Sequence, residues 1–252
     1  MSLQKIKSLF NYYHVFKTPS DIVKFQSIYK NKINQDLVSI RVKETREHPI
    51  FCRPNTTDAQ VLWDTFYRKY HIPTIPLKEN SVIVDLGSNV GYTIAHFAYL
   101  YPKSKVYGVE MDFENFLLAQ KNIQSLIEQC KIMHAAVWSK NGQINYVGDE
   151  EWGFHILDDS KLVNRRSAPA KTLDTILTEF NIEQVDYLKI DIEGAEKTIL
   201  VDPDAWIHRI KHLKMEVHPP ATVEWCFDVL KQFGFECSKD NKHPSAIIAD
   251  KY

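Results

Sequence analysis

Apolar positions keep a helical period at the start of the chain and change to a strand-helix-strand rhythm near residue 80. Between about residues 3 and 33, Ile6, Leu9, Phe10 and Tyr13 fall at i, i+3, i+4 and i+7, one face of a helix. Thr18-Pro-Ser-Asp21 marks a helix start ahead of Ile22, Val23 and Phe25. Val38, Ile40 and Val42 alternate with Ser39 and Arg41, so residues 37–53 are expected to form a hairpin. Thr57 or Asp58 stands where it can cap a helix carrying Val61, Leu62, Phe66 and Tyr67. His71 to Pro76 is a proline-marked linker.

Beyond the linker, strands over Val82–Leu86, Val106–Glu110 and Ile132–Val137 alternate with helices over Gly91–Tyr101 and roughly 113–128. An irregular, partly β stretch runs to about 170. A helix over Leu173–Phe180 and strands over Tyr187–Ile190 and Leu213–Val217 follow, the last stopped by Pro219-Pro220. A helix through Trp225 and Leu230 leads to a terminal strand pair, Phe235–Ser238 and Ala246–Ala249. The alternation predicts an α/β chain: a doubly wound, Rossmann-like, mostly parallel sheet with helices on both faces. Residues 1–76 are read as an N-terminal helical and hairpin cap, and 77–252 as the domain that holds the sheet.

The tract Val82-Ile-Val-Asp-Leu-Gly-Ser-Asn-Val-Gly91 runs from a β-branched strand through two glycines into a helix, the ligand loop of such a sheet. Gly87 and Gly91 leave no third glycine where a dinucleotide fingerprint wants one. A carboxylate at Asp85 would repel a pyrophosphate and suits a cation, such as the ammonium and sulfonium of S-adenosylmethionine. Open α/β sheets bind ligands outside the carboxyl ends of their strands. Those ends are read as Asp85, Glu110, Val137, Asp191 and His218. Glu110 lies 23 residues beyond Gly87, where an acid accepts both ribose hydroxyls of an adenosine. Asp191 and Glu193 leave the fourth strand, and Gly194 permits a sharp turn there; Glu196 is more simply explained as complementing the next helix. His218 is a second candidate base beside Asp191. Trp152, Phe154 and His155 fit an acceptor pocket or ordinary packing equally well.

Composition narrows the partners. The chain has 252 residues, 44% hydrophobic and 25% charged, with net charge −1, so neither nucleic acid nor an anionic membrane is expected. The first 48 residues carry nine Lys and Arg against four acids, most simply a solvated face. Cys52, Cys130, Cys226 and Cys237 show no metal-ligand spacing, no signal pattern opens the chain, and no apolar run approaches a membrane span. A cytoplasmic enzyme with free thiols is expected, and no metal.

Five tracts together resemble the FkbM family of S-adenosylmethionine-dependent methyltransferases: Val84-Asp-Leu-Gly-Ser-Asn-Val-Gly91, Tyr107-Gly-Val-Glu110, Ala135-Ala-Val137, Thr172-Leu-Asp174 and Tyr187-Leu-Lys-Ile-Asp-Ile-Glu-Gly-Ala-Glu196. Arg53-Pro-Asn-Thr-Thr-Asp58 is similar to that family's entry segment, so the resemblance covers roughly 50–220. It implies a seven-stranded sheet with an antiparallel last strand, and methylation of a hydroxyl on a sugar, glycan or natural product. On that likeness S-adenosyl-L-methionine is held by Asp85, Gly87, Ser88, Asn89, Gly91, Glu110 and Met111, with Ala136 and Val137 near the adenine. Asp191 or His218 is the candidate base, with Glu193 orienting the acceptor. An NAD-dependent dehydrogenase and a non-catalytic interaction protein on the same fold are the alternatives. Oligomeric state is not legible.

Overall fold

The computed structural model describes residues 11–30, 32, 36–45, 48–147, 155–157 and 166–251. Its centre is a seven-stranded sheet in the order β12-β13-β11-β10-β3-β4-β5. The strands are β3 (Val82–Leu86), β4 (Lys105–Glu110), β5 (Cys130–His134), β10 (Tyr187–Ile190), β11 (His212–Glu216), β12 (Glu236–Lys239) and β13 (Ala246–Asp250). Five run parallel from β11 to β5, and β13 is antiparallel to both β11 and β12. Strand order reverses between β3 and β10, which places a crevice at their carboxyl ends.

Alternation along these strands separates two cores. Ile83 and Tyr187 pack on the side of α3 (Tyr92–Leu100) and α4 (Phe113–Ile123). Val84, Leu86, Leu188 and Ile190 pack on the other side, with α5 (Leu173–Glu179) and α8 (Val223–Gln232). That period of two puts Asp85 and Lys189 on the first face, as direct register partners.

The expected third strand divides. After β5, β6 (Ala136–Val137) leaves the main sheet and pairs with β9 (Arg166–Lys171). With β7 (Gly142–Val147) and β8 (His155–Leu157) these make a second sheet in the order β6-β9-β7-β8, so the described residues of the stretch expected to be irregular and partly β are largely β. The helix expected to reach 128 ends at Ile123 in a short 3-10 turn. Two short helices lie between β10 and β11: α6 (Glu196–Leu200), the helix expected to follow Glu196, and α7 (Asp204–Ile207), unread in the sequence.

In the N-terminal segment, α1 (Pro19–Tyr29) starts where expected, capped by Thr18. It buries Ile22, Phe25 and Ile28, spaced three apart on one face, while Val23 is 62% exposed. The hairpin pairs β1 (Val38–Ile40) with β2 (Ile50–Cys52). Before α2 (Asp58–Trp63), neither predicted cap acts as one: Thr57 makes no capping bond, and the Asp58 carboxylate is taken by Arg53 Nε and Nη2 at 3.0 and 2.8 Å. α2 continues into a π turn over Asp64–Arg68. Of the first helix face, Ile6, Leu9 and Phe10 lie outside the described residues, while Tyr13 lies in the helical stretch 11–15 and is 45% exposed.

This segment shares one apolar core with α3 and α4 and is joined to them by buried polar links. Asn122 accepts from Phe51 N at 2.7 Å and donates to Phe51 O and Val90 O at 3.2 and 2.8 Å, standing in for a neighbouring strand. Arg53 Nη2 reaches Asn115 at 2.7 Å. Glu44 lies between Lys69 (2.7 Å) and the buried His96 (3.0 Å), whose other ring nitrogen is 3.1 Å from His71. Pairing with His96, against the opposing effect of burial and with help from Lys69, holds the Glu44 carboxyl down at about 2, against 4.5 ordinarily. A depressed acid stabilises the fold above its unfolded pKa, and that contribution fades as pH falls from 4.5 towards 2. Glu44→Gln is therefore expected to destabilise the protein by about 2 kcal/mol at pH 7 in urea unfolding, with the gap narrowing below pH 4.5. A gap independent of pH would contradict this assignment.

Candidate active site

The glycine loop is built by close approach. Gly87 (φ +76°) lies so near the end of β10 that a Cβ there would sit 1.7 Å from the Asp191 carbonyl oxygen. Its N–H and that of Ser88 both donate to Val109 O at 3.0 Å, while Ser88 Oγ accepts from Val109 N and donates to Asp85 O. The loop is thus pinned to β4 on one side and β10 on the other.

A cavity of about 310 Å³ opens over these strand ends. Gly87, Ser88, Asn89, Glu110, Met111, Ala136 and Val137 line one part of it; Asp191 and Glu193 line another. Glu110 is nearly fully buried, with Oε2 accepting from Asn89 N and Oε1 from Asp112 N, each at 2.8 Å. Burial pushes its carboxyl up to about 7, although both N–H groups favour the ionised form. Each carboxylate oxygen keeps a lone pair for a further donor, which suits a pair of ribose hydroxyls.

Three expected residues are not on the wall. Asp85 is fully buried beneath the loop, bonded by Thr93 Oγ1 and 3.2 Å from Lys189 Nζ. Its charge is therefore answered inside the protein, and it neither meets a sulfonium nor repels a pyrophosphate. Gly91 (φ +78°) opens α3 and is needed for packing, since a Cβ there would lie 2.9 Å from Ala119 Cβ. His218 stands behind the acids: Nδ1 is 3.0 Å from Glu196, and Nε2 is 3.6 Å from both Glu193 and Glu216. Burial disfavours its charge, but pairing with Glu196 and Glu216 and the charge of Glu193 outweigh it and push the ring up to about 11. An imidazolium cannot accept a proton, so His218 is withdrawn as a base. Glu196 does sit in the first turn of α6 as expected, and is wholly buried, accepting from Ile192 N and Gly194 N as well.

Asp191 and Glu193 remain. Burial raises the Asp191 carboxyl; Lys189, 3.3 Å away, opposes that, and Glu216 adds to it. Glu193 holds a left-handed φ of +49° and is pushed to about 7 by burial and by the charge of Asp191. Ligand atoms of Asp191, Glu193 and His218 lie within 4.8 Å of one another, a grouping that could hold a metal ion. Lys189 and His218 already pair these acids with protein cations.

Tyr70, Arg68, Glu216 and His243 also line the cavity and were not assigned from sequence. Glu216 had a signal, since β11 ends there, two residues before the end read from the sequence. Arg68 follows from the π turn and His243 from the loop between β12 and β13, neither of which has a sequence signature. Trp152 and Phe154 lie outside the described residues, and of His155 only the strand is described.

The glycine loop, Glu110 and an acid cluster thus share one cavity at the carboxyl ends of a Rossmann-like sheet. The family model described as "Methyltransferase FkbM domain" matches residues 85–239, and the chain belongs to that family of S-adenosylmethionine-dependent methyltransferases. Similar curated proteins include a 2-O-methyltransferase, NoeI, of Sinorhizobium fredii, 24% identical over 140 residues (49% of this chain, 57% of that one). Another is the AMB antimetabolite synthetase AmbE of Pseudomonas aeruginosa, 30% identical over 90 residues (33% and 4%). The chain thus spans little more than half of one of these relatives and a small part of the other. Among solved structures, a precorrin-6y C5,15-methyltransferase of Geobacter metallireducens aligns at 11% identity and TM-score 0.43 (70% of this chain, 82% of that one). A magnesium protoporphyrin IX methyltransferase of Synechocystis with bound S-adenosylmethionine aligns at 12% and 0.42 (69% and 71%).

To accept from both ribose hydroxyls Glu110 would have to be ionised, and cofactor binding would then be coupled to loss of its proton. S-adenosylhomocysteine affinity is expected to fall about tenfold from pH 8 to pH 6, and Glu110→Gln to bind weakly with no such slope. Calorimetry over that range checks this; an equal slope in the variant would assign the proton elsewhere.

Proposed function

We propose that this protein transfers the methyl group of S-adenosylmethionine to a hydroxyl oxygen of a small molecule or glycan. The observation that carries the proposal is the single cavity joining Glu110 and the glycine loop to Asp191 and Glu193. Gly87, Ser88, Asn89, Glu110 and Met111 hold the cofactor in this proposal, with Ala136 and Val137 beside the adenine. Asp85, Gly91 and Lys189 act from beneath, by fixing the loop and the strand ends. The 2-O-methyltransferase among the relatives supports an oxygen acceptor.

Methyl transfer needs acceptor oxygen, methyl carbon and sulfur in line, and such orientation supplies on the order of 7–11 kcal/mol. An aliphatic hydroxyl is a weak nucleophile until its proton leaves, and a placed base adds about 10²–10⁴-fold. Asp191 is that base here, and Glu193 orients the hydroxyl. Lys189 and His218 do the charge balancing, and no metal is required. Asp64, Asp191, Glu193 and Glu216 around the cavity disfavour a phosphate-rich acceptor, so nucleic acid is not the proposed partner. No helix among the described residues is long and apolar enough to cross a membrane, and the free thiols Cys52, Cys130, Cys226 and Cys237 fit a reducing cytoplasm. The N-terminal segment, taken as a cap over residues 1–76, would supply the acceptor side through Val61, Asp64, Arg68 and Tyr70.

A dehydrogenase would need the pyrophosphate to pass the acid cluster at Asp191 and Glu193. S-adenosylhomocysteine is expected to bind and NAD not; tight NAD binding would overturn the proposal. With an acceptor found by screening labelled S-adenosylmethionine, Asp191→Asn should lower turnover by about two to four powers of ten while S-adenosylhomocysteine affinity stays within about threefold. A chelator should leave turnover unchanged. Full activity in Asp191→Asn would remove Asp191 from the chemistry.

A further inference from the structure

We propose that Lys189 is a positioning residue of this site: a buried cation that keeps the Asp191 carboxylate ionised and ties it to the strand beneath the cofactor loop. The inference rests on the methyltransferase reading, in which Asp191 takes the acceptor proton.

Lysine is an unusual residue for the middle of a strand buried on both faces, as β10 is. Strand alternation sets Tyr187, Lys189 and Asp191 towards one face, and the parallel register sets Lys189 directly beside Asp85. The side chain is 4% exposed, with Nζ 3.2 Å from Asp85 Oδ1 and 3.3 Å from Asp191 Oδ2. Tyr70 presents its ring 5.8 Å from the same ammonium. Removing an ammonium from water is costly unless acids stand at contact distance to meet it, and here two carboxylates do. Asp85 is fixed in turn by Thr93, so the cation is held from below and presented upward.

Asp191 has few other sources of positive charge. The groups facing it are Asp85 and Lys189 in the sheet, Glu193 in its own loop, Glu216 and His218 at the end of β11, Tyr70 just before the linker, and His243 from the β12–β13 loop. The His218 charge is shared among Glu193, Glu196 and Glu216. Lys214, one strand further along, is committed to Asp240. Among the described residues Lys189 is therefore the cation at contact distance from Asp191 itself. Its consequence for the reaction is a starting state able to accept a proton. The acceptor O–H proton passes to the Asp191 carboxylate and the oxygen bonds the methyl carbon. The C–S bond breaks with its electrons going to sulfur, so that a carboxylate and a sulfonium become a carboxylic acid and a neutral thioether.

The test is the titration of the Asp191 side-chain carboxyl by carbon-13 NMR, assigned with Asp191→Asn and followed with and without S-adenosylhomocysteine. Lys189→Met alone leaves two buried acids unpaired, so the informative variant is Lys189→Met/Asp85→Asn, which removes the cation together with its second partner. Asp191 should be ionised at pH 7 in the natural protein, and its midpoint should rise by one unit or more in the double variant. A midpoint above 7 in the natural protein, or one unmoved in a folded double variant, overturns the proposal. Should the double variant not fold, the natural protein's midpoint decides. A structural role alone predicts loss of stability with no movement of the Asp191 midpoint. Failure of S-adenosylhomocysteine to bind would instead strike the methyltransferase reading, and the titration of the free protein is read independently of it.

Discussion

The parallel pairing of β3 with β10 is the constraint on which the rest of the site depends. It brings the backbone at Gly87 against the Asp191 carbonyl so closely that a side chain has no room between them. Both turns are therefore one rigid piece, with the loop proposed to meet the cofactor and the acid proposed to meet the acceptor sharing a backbone contact. A position-sensitive reaction is served by this, because small displacements of the reacting groups forfeit much of the orientation effect. The strand-order reversal at the same place supplies the crevice in which both turns face a ligand.

Charge is then arranged around that contact. Four acids, Asp191, Glu193, Glu196 and Glu216, converge at the ends of β10 and β11, and His218 lies within 3.6 Å of the last three. Lys189 answers Asp85 and Asp191 from inside the sheet. On the far side of α3, the Glu44–His96–His71 chain and Asn122 fix the N-terminal segment to the helices, which carries Arg68 and Tyr70 to the cavity rim. Buried polar groups are affordable only when partnered, so these links also specify a single way of seating the segment.

Much of the sheet was legible because strand and helix periods are strong in Val82–Leu86, Tyr187–Ile190 and the helices between. That Glu110 and Asp191 line the cavity followed from the spacing of the first from Gly87 and the strand-end place of the second. What failed has a common physical cause: sequence marks a residue's position along an element, not the neighbour its side chain meets. Asp85 was read as facing a ligand, but its neighbour on β10 is Lys189. His218 was read as a candidate base, but three acids surround it. Gly91 was read as a ligand glycine, but what it meets is Ala119 on α4. Lys189 itself carried a signal, a lone charge in Tyr-Leu-Lys-Ile, that the apolar pattern concealed. The break between β5 and β6 had none, because Ile132 to Val137 is continuously strand-like.

The central claim is that one cavity holds the cofactor between Glu110 and Asp191. Amide chemical-shift mapping of the isotopically labelled protein with S-adenosylhomocysteine tests this directly. Shifts should concentrate at Gly87, Asn89, Met111, Ala136, Val137 and Ile192, and NAD at the same concentration should leave them unmoved. Shifts confined to another surface, or an equal response to NAD, would contradict the account.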